Sequence, residues 1–170
     1  MNIFSEFGSL NGLDGVAVVV LLALWLGLSW WIEHPSAKRP SVTMVMSQYR
    51  RDWMQVMVGR DPRIFDAQVM GSLRQGTSFF ASTCLLGVGG VLALIGNVDP
   101  LQGVAEDIAM VQSAAVIWQI KLGLVLVLLT NAFLKFVWSN RVFGYCTVMM
   151  AAVPNDPSHP DAKGLASKAA

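Results

Sequence analysis

The sequence predicts an all-α integral membrane protein with three transmembrane helices, a cytoplasmic amphipathic helix and long cytoplasmic helix extensions. Three observations predict it. Of the 170 residues, 54% are apolar and only 14% charged, against about 25% charged in an ordinary soluble domain. Apolar runs long enough to cross hydrocarbon recur three times, over 14–32, 77–95 and 114–138. Positive charge is gathered between the first two runs, on Lys38, Arg39, Arg50, Arg51, Arg60, Arg63 and Arg74. The chain reads as a single membrane domain over 1–170, with no internal repeat.

Residues 1–13 form a short polar lead. The first span, 14–32, is almost wholly apolar after Asp14, which is placed to cap it, and ends in Trp30 and Trp31 at an aromatic interface belt. The first 33 residues hold no Lys or Arg, unlike the basic start of a cleaved signal peptide, so this segment is expected to remain as an anchor. Pro35 and Pro40 break the helix. Over 41–58 the apolar residues Val42, Val45, Met46, Tyr49, Trp53, Val56 and Met57 recur at spacings of three and four, with Gln48, Asp52 and Gln55 opposite. That spacing predicts an amphipathic helix, and one rich in Met can lie on a membrane surface or pack on partner helices.

Gly59 ends that helix. Asp61 and Pro62 read as an N-cap with proline at the first helical position, opening a long helix over 62–95 that contains the second span. Residues 96–100 form a turn cluster, and the segment after it carries Glu106 and Asp107. The third span, 114–138, holds Lys121, Asn131 and Lys135, and its helix extends to 153, where Pro154 stops it. Residues 154–170 read as a tail.

The loop between the first two spans is basic, whereas the N-terminus and the segment after the second span are not. The positive-inside asymmetry therefore predicts the N-terminus outside and 35–74 with the C-terminus in the cytoplasm; the expected location is a bacterial inner membrane.

YRRDWM, then GRDPRIFDAQVMGSL and SFFASTCLLG, then WQIKLGLVLVLLTNAFLKFVWSNRVFGYCTVMMAAVP together resemble the membrane family catalogued as domain of unknown function 599. The resemblance covers most of 14–154 and implies a fold, with no established activity. It also implies a further helical segment and a fourth span beyond the proline. This sequence stops at Ala170, which leaves two readings: a truncated sequence, or a short form whose bundle another chain completes.

Ionisable groups within a span are costly and are functional candidates by default. Lys121 lies about one turn from Trp118, and Lys135 about one turn before Trp138, so both can snorkel to an interface. Lys121 could instead pair with Glu106 or Asp107, or meet an anionic headgroup. Asn131 is deeper and suits an interhelical hydrogen bond worth about 1 kcal/mol. Ser78, Ser82 and Thr83, with Gly87, Gly89, Gly90 and Ala93, form a face of small residues suited to close helix approach.

The arginines have three readings. They orient the chain and bind anionic lipid headgroups at about 1 kcal/mol each near the surface; they pair internally with Asp52, Asp61 and Asp66; or they hold a soluble anion. Their interleaving with acids, as in Arg51-Asp52, Arg60-Asp61 and Arg63 three residues before Asp66, favours pairing. Arg50, Trp53 and Arg74 join this group of interaction candidates.

His34 and His159 are the only histidines, and Cys84 and Cys146 the only cysteines. No metal-ligand spacing, phosphate loop or nucleophile motif is present. No catalytic residue, metal or cofactor is therefore expected, and a bound lipid is compatible with the pattern. The expected partners are membrane lipids and either other membrane subunits or further copies of the chain, with no nucleic acid. The leading expectation is a non-enzymatic accessory or assembly subunit, or a homo-oligomer. The alternatives are a small channel or transporter for an anion or small solute, and an enzyme or binder acting on lipid or quinone.

Overall fold

The computed structural model describes residues 12–34, 41–101, 103 and 115–169, and among these the regular structure is helical, with no strand. The helices are α1 (Gly12–Glu33), α2 (Val42–Val58), α3 (Ile64–Gly96), α4 (Ala115–Ala151) and α5 (Ala162–Ala169). Lys38, Arg39, Glu106 and Asp107 lie outside the described residues, as does the side chain of Asp14, which stands inside α1 rather than ahead of it.

Three of these helices, α1, α3 and α4, are long and apolar enough to cross a membrane. Their 22, 33 and 37 residues correspond to about 33, 50 and 55 Å at about 1.5 Å per residue. A hydrocarbon core is about 30 Å thick, so α3 and α4 exceed it by roughly 20 and 25 Å. Val16, Val19, Leu24, Leu26 and Trp31 of α1 are all exposed. An apolar surface on every side of a helix calls for a non-aqueous neighbour.

The chain divides into two units, 82–134 with the first 31 residues, and 32–81 with 135–170. In the first, α3 and α4 lie antiparallel. Gln119 Nε2 donates to the Ile95 carbonyl at 3.5 Å, and a Cβ placed on Gly87 would meet Leu129 Cδ1 at 3.3 Å. A side chain at 87 would press on Leu129, so glycine there permits the close approach. Gly89 and Gly90 face open space.

The second unit holds the tighter core. Met54, Met57 and Val58 of α2, Met70 of α3, Met150 of α4, Val153, and Ala162, Ala166 and Ala169 of α5 form one buried cluster, with Trp53, Phe143, Cys146 and Leu165 packed on it. Nearby, Phe80 stacks on Phe136 with ring centroids 5.4 Å apart. Asn140 Nδ2 donates to Ser78 Oγ at 2.5 Å. Local chemistry sets the start of α2, where the Ser41 hydroxyl accepts from Met44 N–H. Gly59 follows its last turn and donates to the carbonyl of Val56.

Three features differ from the sequence expectation. First, α3 begins at Ile64, after a cis Asp61–Pro62 peptide bond, so Pro62 does not occupy its first position. Second, the buried face of α2 is centred on Met54, Met57 and Val58, while Val42, Val45, Tyr49 and Val56 form an exposed stripe at spacings of three, four and seven. Periodicity identified one broad apolar surface, and neighbouring helices chose which side of it to cover. Third, residues 154–170 are not merely a tail: α5 packs directly on α2.

The entry to α5 is a turn in which the Ser158 hydroxyl and backbone N–H both donate to Asp156 Oδ1, at 2.6 and 2.9 Å. These bonds stabilise the charged form and hold the Asp156 carboxyl below its ordinary pKa. Small side chains at 162, 166 and 169 then bring α5 close to its neighbour. Replacing the fully buried Ala166 with leucine forces bulk into this contact and is expected to cost about 2 kcal/mol. Thermal unfolding in detergent measures it, and an unchanged midpoint would show that α5 is loosely placed.

Candidate functional site

Asp66 is the centre of the polar chemistry in the second unit. It occupies the first turn of α3, where a helix N-terminus favours negative charge, and it is 1% exposed. A carboxylate removed from water needs partners. Trp53 Nε1, from α2, donates to its Oδ1 at 2.5 Å, and Arg60 Nη1, from the connection between α2 and α3, donates to the same oxygen at 2.6 Å. The Arg60 guanidinium also lies 5.4 Å from the centre of the Phe65 ring. Asp66 Oδ2 is buried with no hydrogen-bond partner among the described residues.

Arg63 does not take the partner that its spacing suggests. Its Nη1 and Nη2 donate to the carbonyls of Val153 and Pro154, each at 2.7 Å. These carbonyls lie just past α4, at the negative end of its dipole, where a cation is favoured. The guanidinium thus joins the start of α3 to the end of α4, across a sequence separation of 90. Its Nε is buried and lacks a partner among the described residues. Among those residues the one ion pair is Arg60–Asp66, so the pairings suggested for Asp52 and Asp61 do not form.

Two cavities adjoin this framework. The smaller, of about 220 Å³, is lined by Arg63, Asp66, Met57, Met70, Thr147 and Asn155, among others. The larger, of about 550 Å³, is walled chiefly by apolar groups, including Trp53, Met54, Leu73, Phe143, Cys146 and Met150, with Tyr49 and Arg50 also on it. Met70 and Met150 border both.

The remaining candidates are scattered. Arg51, Asp61, Arg74 and Lys135 are exposed, as are Ser78 in the second unit and Ser82 in the first. Asn131 is half-buried in the first unit. In the same unit, Lys121 Nζ lies 5.5 Å from the Trp118 ring centre, and its suggested pairing with Glu106 or Asp107 falls outside the described residues. The structure therefore brings together Trp53, Arg60 and Asp66, with Arg63 and Arg50 nearby on the two cavities.

Sequence reasoning missed Asn140, Phe143, Cys146 and Asn155 as contributors. Cys146 and Phe143 lie in the extension of α4 beyond Arg141, a mostly apolar stretch in which no single inward face stands out. Asn140 beside Arg141 at the end of the apolar run was the available signal for a polar contact. Among the described residues no group of three His, Cys, Asp or Glu side chains could hold a metal ion. Chemically, the Asp66 and Arg63 clusters tie helices together, and the larger cavity offers an apolar volume with one cation.

A family model described as "Protein of unknown function, DUF599" matches residues 16–170. No curated protein and no solved structure matches the chain.

Proposed function

The chain belongs to the DUF599 family of proteins of unknown function, and from that premise we propose that it is a non-enzymatic component of the bacterial inner membrane. It serves as an accessory or assembly subunit of a larger membrane complex, or as a homo-oligomer. It crosses the bilayer on α1, α3 and α4, with the N-terminus outside and 35–74 and the C-terminus cytoplasmic. The distribution of Lys and Arg along the sequence supports that orientation.

The observation that carries the reading is the internal engagement of the second unit's polar groups. Asp66 is held by Trp53 and Arg60, and Arg63 by the carbonyls beyond α4. These groups brace helices, while the exposed stripe of Val42, Val45, Tyr49 and Val56 offers a surface to a partner. Lys121 beside the Trp118 ring fits an interfacial anchor better than a group lining a transport path.

Purification from native membranes is expected to recover a stoichiometric partner or a discrete oligomer. A monodisperse monomer, with no partner captured by cross-linking before solubilisation, would overturn the assembly reading. Orientation has its own test: a reporter inserted after residue 60 should be active only in its cytoplasmic form, and periplasmic activity would reverse the topology.

A further inference from the structure

The larger cavity of the second unit is lined by α2, α3 and α4, with Ala169 of α5. Its volume of about 550 Å³ lies within the roughly 300–1,000 Å³ range of small-molecule sites. Trp53, Leu73, Phe143 and Met150 supply apolar walls, and further methionines make them adaptable. Such walls offer water few hydrogen bonds and favour an apolar occupant.

Arg50 is the one charged residue among those lining the cavity. Its side chain is exposed and has no ion pair among the described residues. The Tyr49 side chain stands next to it in sequence and also borders the cavity. An apolar volume with a single guanidinium complements an amphiphile with a hydrocarbon body and an anionic head, because guanidinium matches phosphate and carboxylate oxygens geometrically. Leu73 of α3 and Val142 of α4, on the cavity wall, each lie four residues from the apolar runs 77–95 and 114–138, about 6 Å along a helix, so the acyl chains at the membrane interface are the apolar molecules nearest to it.

We propose that this cavity binds the acyl chain of an anionic lipid, with Arg50 engaging the phosphate or carboxylate of its head. The proposal rests on the membrane placement given above and is independent of the assembly role. A membrane phospholipid and a free fatty acid share the recognised chemistry and are separated by the test.

Trp53 serves as the reporter because it lines the cavity. The full chain, with its other five tryptophans replaced by phenylalanine, is reconstituted in vesicles containing phosphatidylglycerol or phosphatidylcholine with brominated chains. Trp53 quenching is expected to be several-fold stronger with the anionic lipid. Arg50→Gln should remove that preference, and Cys146→Phe, which narrows the cavity, should weaken the quenching itself. Brominated fatty acid added to vesicles of unbrominated phosphatidylcholine forms the second arm. Arg50-dependent quenching there, without quenching by brominated phosphatidylglycerol, identifies the free acid as the source and supports the site.

Equal quenching by both phospholipids that neither variant alters would overturn the proposal, since Trp53 would then report only bulk bilayer. A discrete dimer in which Trp53 is shielded from every quencher would overturn it in favour of a second copy covering the cavity. Native mass spectrometry of the unsubstituted chain provides a readout that does not require the tryptophan replacements. Retention of an anionic lipid that Arg50→Gln loses supports the site; no retained lipid overturns it. Resistance to carbonate extraction tests membrane placement separately, so a protein that stays in the membrane but binds no lipid loses only the proposed site.

Discussion

Replacing Asp66 with alanine is expected to destabilise the chain by about 3 kcal/mol, the loss associated with breaking a largely buried charge-assisted cluster. The carboxylate is 1% exposed, and its Oδ1 accepts from both Trp53 Nε1 and Arg60 Nη1. Alanine leaves the indole N–H without its acceptor and removes the counter-charge of the guanidinium. The Arg60 side chain is 36% exposed, so it can turn towards solvent, which keeps the loss near the lower end of the range for a buried pair. Asp66→Asn preserves volume and a carbonyl acceptor but discards charge, and should recover about 1 kcal/mol. Thermal unfolding in detergent, with Trp53→Phe as the partner arm of a double-mutant cycle, is the measurement. Additive losses for Asp66 and Trp53 would mean that the two groups are not coupled.

The second large effect belongs to Arg63. Its alanine variant loses two charge-assisted bonds to the carbonyls of Val153 and Pro154, with an expected cost of about 2–3 kcal/mol. The loss should be concentrated at the end of α4 and in α5. Hydrogen exchange over 152–169 should accelerate well beyond that over 64–81, and limited proteolysis should cut first between 154 and 161. Lysine keeps the charge but has no planar fork with which to reach two carbonyls, so Arg63→Lys should restore less than half the protection. If Arg63→Ala left exchange in α5 unchanged, these bonds would not be what holds that end of the chain.

Both effects turn on partners that the sequence only partly identified. The alternation of arginine with acid suggested internal pairing, and among the described residues one pair forms, Arg60–Asp66. Local spacing alone suggested Arg63 with Asp66, whereas Asp66 meets Arg60 and Arg63 meets backbone carbonyls 90 and 91 positions away. Such an acceptor has no side-chain signature, because every residue has a carbonyl. Trp53 was singled out as an interaction candidate, yet its bond to Asp66 crosses from α2 to α3 and depends on how those helices meet. Phe143 and Cys146 stood out from nothing around them, since the stretch of helix after Arg141 is mostly apolar and marks no single inward face.

By itself the sequence determined that the chain is helical and carries three long apolar segments able to span a membrane. Those properties are local sums: runs of apolar side chains lower the cost of leaving water, and breakers such as Pro35 and Pro154 lie at their flanks. The tertiary structure decided which side of α2 is buried, which group each arginine meets, and that residues 162–169 join the core. Each of these depends on two surfaces arriving at the same place, where burial and hydrogen-bond geometry select one partner among several that sequence spacing leaves equivalent.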